Sequence, residues 1–339
     1  MRKAFQAQWS GLRMSSGNVT RYAYLDGWRG LSILAVLAGH FLNVHGFNAG
    51  RFGVEMFFVL SGRLMAEILF IKLTPLPSFF KRRISRVWPA LFVFIIAMWL
   101  IFGRSQNALH VDYQSVLATL TFTYNYYSIY ANHTPVLDHI WSLCIEEHTY
   151  ILLAFIAFLA RKYNFDPIKP LIAICVLFLL NGALLTFTQH LDYYNVYWRS
   201  DTRSASILIG VITFLLIQRS SQHIPALTSA LLLGLAVLLN INPVPDPIKY
   251  SLGTVCVAGA ICSIKELPDY LMRFLCHPAL TWVGLISFSL YLWQQPFYKM
   301  IHSGQSEFLL LLTALIIAAI SYRFIEVPVR KTLNQHWAK

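Results

Sequence analysis

The sequence predicts an all-α fold, a polytopic membrane protein with about ten transmembrane helices. Three observations predict it. Of 339 residues, 57% are apolar and 12% charged, where soluble domains carry about 25% charged residues. Apolar runs of about 17–25 residues, the length a helix needs to cross a bilayer, recur from end to end. The Lys and Arg residues fall between those runs with an alternating bias. The chain then divides into a basic, cytoplasmic tail over 1–22, a transmembrane domain over 23–331 and a second cytoplasmic tail over 332–339. Residues 1–22 have no apolar core, so no cleavable signal peptide is expected and the first span must do the targeting.

In order, spans are expected at about 28–47, 53–71, 87–103, 139–160, 170–189, 204–218, 225–241, 248–264, 279–300 and 307–327. The basic tail, the loop with Lys72, Lys81, Arg82, Arg83 and Arg86, and then Arg161, Lys162, Lys169, Arg219, Lys265 and Arg273 fall on one side of this arrangement. Arg330, Lys331 and Lys339 join them. The opposite loops are poorer in Lys and Arg, which places both termini in the cytoplasm. Residues 115–130 resist the pattern: they begin apolar and turn into Tyr124-Asn125-Tyr126-Tyr127, too short for a span. A re-entrant or interfacial segment on the outer side is expected there. The net charge of +12 is spread over loops, which argues for orientation against an anionic leaflet and against nucleic acid. The five cysteines have no paired CxxC spacing, so neither a disulfide frame nor a metal site is expected.

The first span opens with Asp26-Gly27-Trp28-Arg29-Gly30 and holds His40 well inside. Arg29 and His40 are eleven positions apart, which returns them to one helix face about 16 Å apart along the axis. Ionisable groups at such depth are costly and mark function by default. The alternative is an interfacial anchor and a single interhelical hydrogen bond. In the second span Arg63 and Glu67 stand one turn apart and can pair. Arg83 and Arg86 share a face at the mouth of the third, where two guanidinium forks suit phosphate oxygens. Glu146, Glu147 and His148 enter the fourth span. Adjacent helix positions point about 100° apart, so only one of the two carboxylates can face a given cavity.

These pieces, in this order, resemble the acyltransferase 3 family of integral membrane O-acyltransferases. The carriers are Leu25-Asp26-Gly27-Trp28-Arg29-Gly30 with the Arg29–His40 spacing, and Gly53-Val54-Glu55-Met56-Phe57-Phe58-Val59-Leu60-Ser61-Gly62. Arg83-Ile84-Ser85-Arg86, Trp141-Ser142-Leu143-Cys144-Ile145-Glu146-Glu147 and Phe288-Ser289-Leu290-Tyr291-Leu292-Trp293 complete them. The resemblance covers about residues 24–331. It implies transfer of an acyl group, most often acetyl from acetyl-CoA, to a sugar hydroxyl of a surface or exported glycan such as O-antigen lipopolysaccharide, exopolysaccharide, peptidoglycan or periplasmic glucan. It also implies a bacterial inner membrane and no permanently bound cofactor, acyl-CoA being a co-substrate. The family's functional arginine and histidine match Arg29 and His40, its arginine pair Arg83 and Arg86, and its glutamate Glu146. The chain departs from the family pattern at Cys144 (usually serine), Arg63 (usually apolar) and Gln294 (often histidine). No soluble esterase-like domain is appended, and a stand-alone form is expected.

On this reading His40 is the general base, since an imidazole titrates near neutrality. Glu146 orients its ring, Arg83 and Arg86 grip the phosphates of CoA, and Arg29 contacts the donor between them. Direct transfer along the pantetheine arm and an acyl-histidine relay are both open. Two competing classes are a transporter or flippase, whose spans also carry Arg, Glu and His, and a non-catalytic subunit of a glycan-export complex.

Overall fold

The computed structural model describes residues 23–42, 44–188, 191–220, 225–263, 269–301 and 305–337. The expected tail over 1–22 and the loop lysine Lys265 lie outside them. Among the described residues the architecture is helical, with one isolated β-bridge between Phe47 and Ile241.

Helix α1 (Ala23–Phe41) carries Asp26 in its first turn and His40 in its last. Asn48 caps α2 (Ala49–Ala66), its side-chain oxygen accepting from the Arg51 N–H, and α2 runs on into a π-type turn over Glu67–Ile71. Prolines at its start launch α3 (Leu76–Phe102), 27 residues and about 40 Å long. The segment that resisted a span folds as two short helices, α4 (Tyr113–Leu120) and α5 (Tyr124–Tyr130), followed by a 3₁₀ turn over Pro135–Leu137. Neither helix can cross a bilayer. Tyr124 and Asn125 are buried, and Asn125 Nδ2 donates to Trp198 O (3.0 Å) and Ser200 Oγ (3.1 Å), so the segment turns inward against its neighbours.

Then come α6 (Ile140–Tyr163), ended by Asn164 at φ 56°, α7 (Ile168–Phe187), α8 (Tyr193–Tyr197), α9 (Ser200–Arg219) and α10 (Ala226–Leu239). A broken segment joins α11 (Asp246–Ile248), a π-type turn over Lys249–Gly253 and α12 (Thr254–Cys262). Helix α13 (Asp269–Leu275) meets α14 (Pro278–Met300) at a bend of 48°. The chain closes with α15 (Glu307–Ser321), a π-type turn over Tyr322–Glu326 and α16 (Val327–His336).

Each of the ten apolar stretches is largely helical, but among the described residues five helices are long and apolar enough to cross a membrane, or six with the bent α13–α14 pair. They are α3, α6, α7, α9 and the run Glu307–His336. The expectation of ten exceeds this number for physical reasons. Helix α1 carries Asp26 and Arg29, and α2 carries Arg51, Glu55 and Arg63. Helix α10 is 14 residues long, and the stretch before Cys262 is interrupted. The coarser conclusion stands: this is an all-helical membrane protein.

Glycines set the packing around α1. A β-carbon on Gly284 would lie 1.8 Å from Asp26 O, and one on Gly27 would lie 2.0 Å from Leu275 O. Only glycine lets α1 approach α13 and α14 this closely. The Asp-Gly-Trp-Arg-Gly signature therefore seats the helix as well as carrying charge. A large core runs through α1, α2, α6, α9 and α14, and a smaller one packs Leu91, Phe94 and Ile95 of α3 against Tyr124, Leu137 and Ile140. A cleft with apolar and charged walls opens between them.

Candidate active site

A cleft with about 700 Å³ of empty space lies between α1, α2, α3, α6 and α14, and Arg29, Ser61, Arg83, Arg86, Glu146 and Tyr291 are among its walls. Four of the five site residues expected from the sequence therefore share one cavity. Arg83 is tied down within it. Its Nε donates to Glu147 (2.6 Å), its Nη2 donates to Glu146 (2.9 Å), and its Cζ sits 4.0 Å above the Tyr150 ring. Glu146 also accepts from Ser61 Oγ (2.9 Å) and Tyr150 OH (3.1 Å). Of the two adjacent carboxylates only Glu146 lines the cleft, as the helix geometry requires. The arginine bridges both.

Arg86 differs. Among the described residues no carboxylate comes within ion-pair distance of it, and its neighbours in charge are Arg29, Arg83 and Glu326. Arg29 stands 3.4 Å from Asp26. Among the described residues Arg86 is thus the cation of the cleft wall with no carboxylate partner, Arg29 is shared with Asp26, and Arg83 spends its donors on the two glutamates.

His40 is outside the cleft lining. Its Nδ1 lies 2.7 Å from Gln294 Oε1, and its ring stacks on Tyr298 at 4.2 Å and 8°. The expected Glu146–His40 partnership is not formed: Glu146 is engaged with Ser61, Arg83 and Tyr150. Gln294 Nε2 faces Tyr291 O and Gln295 Oε1, each at 3.4 Å. These acceptors assign the amide nitrogen away from His40, so the Nδ1–H donates to Oε1 and Nε2 keeps its lone pair.

One face of α14 joins the two places. Ser287 and Tyr291 line the cleft, and Gln294 and Tyr298 hold His40, at offsets that follow the i, i+4, i+7 stripe of a helix. Ser142 Oγ and Tyr291 OH lie 2.7 Å apart between them. In the sequence Gln294 stands in the polar, Pro-broken end of the ninth span and departs from the family pattern, with no partner indicated. The stripe Ser287, Tyr291, Gln294, Tyr298 was the signal that could have paired it with His40. The expected Arg63–Glu67 pair forms at 3.5 Å, with Lys72 adding a contact to Glu67 at 2.7 Å. Unforeseen was the buried trio in which Glu55 accepts from Arg203 and Thr254.

Residues 22–322 match the acyltransferase domain of the acyltransferase 3 family. O-acetyltransferase OatA of Staphylococcus aureus (strain NCTC 8325 / PS 47) is 30% identical over 348 residues, which cover 91% of this chain and 57% of the relative. OatA of Staphylococcus aureus (strain COL) matches at the same identity and coverage. The chain spans a little over half the length of these curated relatives. No solved structure matches it. With the family match running over nearly its whole length, the chain belongs to the acyltransferase 3 family.

Proposed function

We propose that the chain is an O-acyltransferase that moves an acyl group, acetyl by analogy with its O-acetyltransferase relatives, from cytoplasmic acyl-CoA to a hydroxyl of a surface or exported glycan. The observation that carries the reading is the His40–Gln294 contact: a histidine held through Nδ1, with Nε2 available, on the same helix as an arginine of a cationic cleft. The ten helical stretches are taken to cross the inner membrane with both termini inside. The cleft mouth with Arg83 and Arg86 then faces the cytoplasm, and His40 lies towards the outer side.

Arg86 and Arg29 hold the phosphates of the donor, and Arg83 with Glu146, Glu147 and Tyr150 keeps the wall of the cleft in shape. The pantetheine arm runs along α1 towards His40, about 16 Å beyond Arg29. His40 Nε2 takes the proton of the sugar hydroxyl as its oxygen attacks the thioester carbonyl. The C–S bond breaks, and the imidazolium returns the proton to the departing thiolate. Gln294 fixes the tautomer, the role a carboxylate has in a hydrolase triad, without its charge. The reading is tested by CoA-thiol release from the purified protein with glycan acceptors. Wild type releases thiol, His40→Ala does not, and Arg86→Ala needs more acyl-CoA. A wild type silent with every donor and acceptor contradicts it.

A further inference from the structure

A second cavity, with about 570 Å³ of empty space, is built from the end of α7, from α8, from the first residues of α9 and from residues 246–250. Its place relative to His40 follows from the packing. Gly62 meets Ile207 O, Gly210 meets Val59 O, and Glu55 pairs with Arg203, so α2 and α9 run side by side in one direction. Their starts, Ala49 and Ser200, are therefore at one end, the end where α1 finishes with His40. A β-carbon on Gly50 would lie 3.7 Å from His40 Cδ2. The next residue, Arg51, places its guanidinium 3.9 Å over the ring of Tyr193, which lines the second cavity. The cavity and the histidine are thus neighbours across the start of α2, at the end away from Arg83 and Arg86.

The lining is mixed in a particular way. Phe178, Leu179, Leu191 and Val196 give apolar wall, while Asp246 brings an acceptor. Two further lining residues hold buried donors with no hydrogen-bond partner among the described residues, Arg203 Nε–H and Tyr197 O–H. Both residues are over nine-tenths buried. Donors left open at such depth are costly and call for an oxygen-bearing partner. A simple anion would compete with Asp246 for its partner Lys249 (3.3 Å) and leave the apolar wall uncovered, and an acyl chain would leave both donors unmet. A pyranose has hydroxyls that donate and accept together with an apolar C–H face, and it meets all three demands.

We propose that this second cavity is a saccharide subsite that holds a sugar residue of the acceptor glycan beside His40, with Asp246, Tyr197 and Arg203 contacting its hydroxyls. The proposal rests on the acyl-transfer reading for the word acceptor, but binding of sugar can be measured without turnover.

The experiment uses the full chain in nanodiscs, with defined hexose and N-acetylhexosamine oligosaccharides as probes. Each is offered free in water and attached to a polyprenyl phosphate carrier. Polyprenyl phosphate alone and inorganic phosphate are the controls. Gly182→Leu fills the cavity from α7, where a β-carbon would make only ordinary contact with Thr202 (3.6 Å). Asp246→Asn removes the acceptor charge, and with it the 3.3 Å ion pair to Lys249, with little change in shape, and Leu180→Ala, on the exposed outside of α7, is the reference. Loss of one good hydrogen bond or of the space for the ring weakens saccharide binding about tenfold or more. Both cavity variants are expected to show that loss for free and carrier-linked sugar alike, and to raise the KM for glycan and not that for acyl-CoA. Unchanged saccharide binding in both variants, or binding of the carrier phosphate without its sugar, overturns the subsite. Variant-sensitive binding in a wild type that never releases CoA thiol keeps the subsite and overturns the transferase reading.

Discussion

His40 Nδ1 and Gln294 Oε1 meet at 2.7 Å although 254 residues separate them in the chain. The contact fixes which imidazole nitrogen is available for chemistry. Gln294→Ala should lower kcat about 10–100-fold, because an unoriented ring samples the wrong tautomer and rotamer. The KM for acyl-CoA should stay as it is. Steady-state kinetics on both substrates check this, and a change confined to KM would count against the orienting role.

The two arginines expected to act together should separate by mutation. Arg86→Ala should raise the KM for acyl-CoA about tenfold or more at nearly unchanged melting temperature, since a charge-assisted contact to phosphate is lost and no ion pair is broken. Arg83→Ala strands Glu146 and Glu147 in a mostly buried site. Removing one partner of such a group costs about 3–5 kcal/mol, and much of that should return in Arg83→Ala combined with Glu147→Gln. Thermal melts of the purified variants decide.

Gly284→Ala should be severe for so small a change. Its methyl would fall 1.8 Å from a backbone oxygen of α1, which cannot rotate away. Overpacking of this kind costs about 1–3 kcal/mol or more, because backbone has to shift. A lower melting temperature together with impaired turnover is the expected pair of results.

Asp166, in the turn between α6 and α7, accepts from both Arg219 Nη atoms (2.5 and 2.8 Å). That guanidinium, assisted by the Ile168 N–H, holds the carboxyl below its ordinary value of 3.8 against a partial burial that would raise it. A carboxyl depressed on folding adds stability above that ordinary value and loses it as pH falls through the folded one. Because both groups are about a quarter or more exposed, the contribution is no more than about 1 kcal/mol. Melting wild type and Asp166→Asn side by side should show a gap near neutrality that closes in acid.

Much of this was legible in the chain because it is local. The Arg29–His40 spacing, the shared face of Arg83 and Arg86, the Arg63–Glu67 turn and the refusal of 115–130 to span all depend on helix periodicity and segment length. What was not legible depends on which helices touch. Nothing along the chain says that Arg83 meets both Glu146 and Glu147, that Arg203 and Thr254 close on Glu55, or that Gln294 and not Glu146 reaches His40. The glycines were in view as motif letters. Their reason, the near-contact of α1 with α14, exists only in three dimensions. The ten spans expected and the five or six described helices that are long and apolar enough to cross differ for a related cause: α1 and α2 keep ionisable groups that apolar run-length does not weigh.

The most direct measurement is CoA-thiol release with a glycan acceptor by His40→Ala beside wild type in the same nanodiscs, with acyl-CoA binding measured in parallel. His40→Ala should bind acyl-CoA like wild type, since the cationic cleft is intact, and transfer at least about 100-fold more slowly. Transfer by His40→Ala at the wild-type rate would contradict the account.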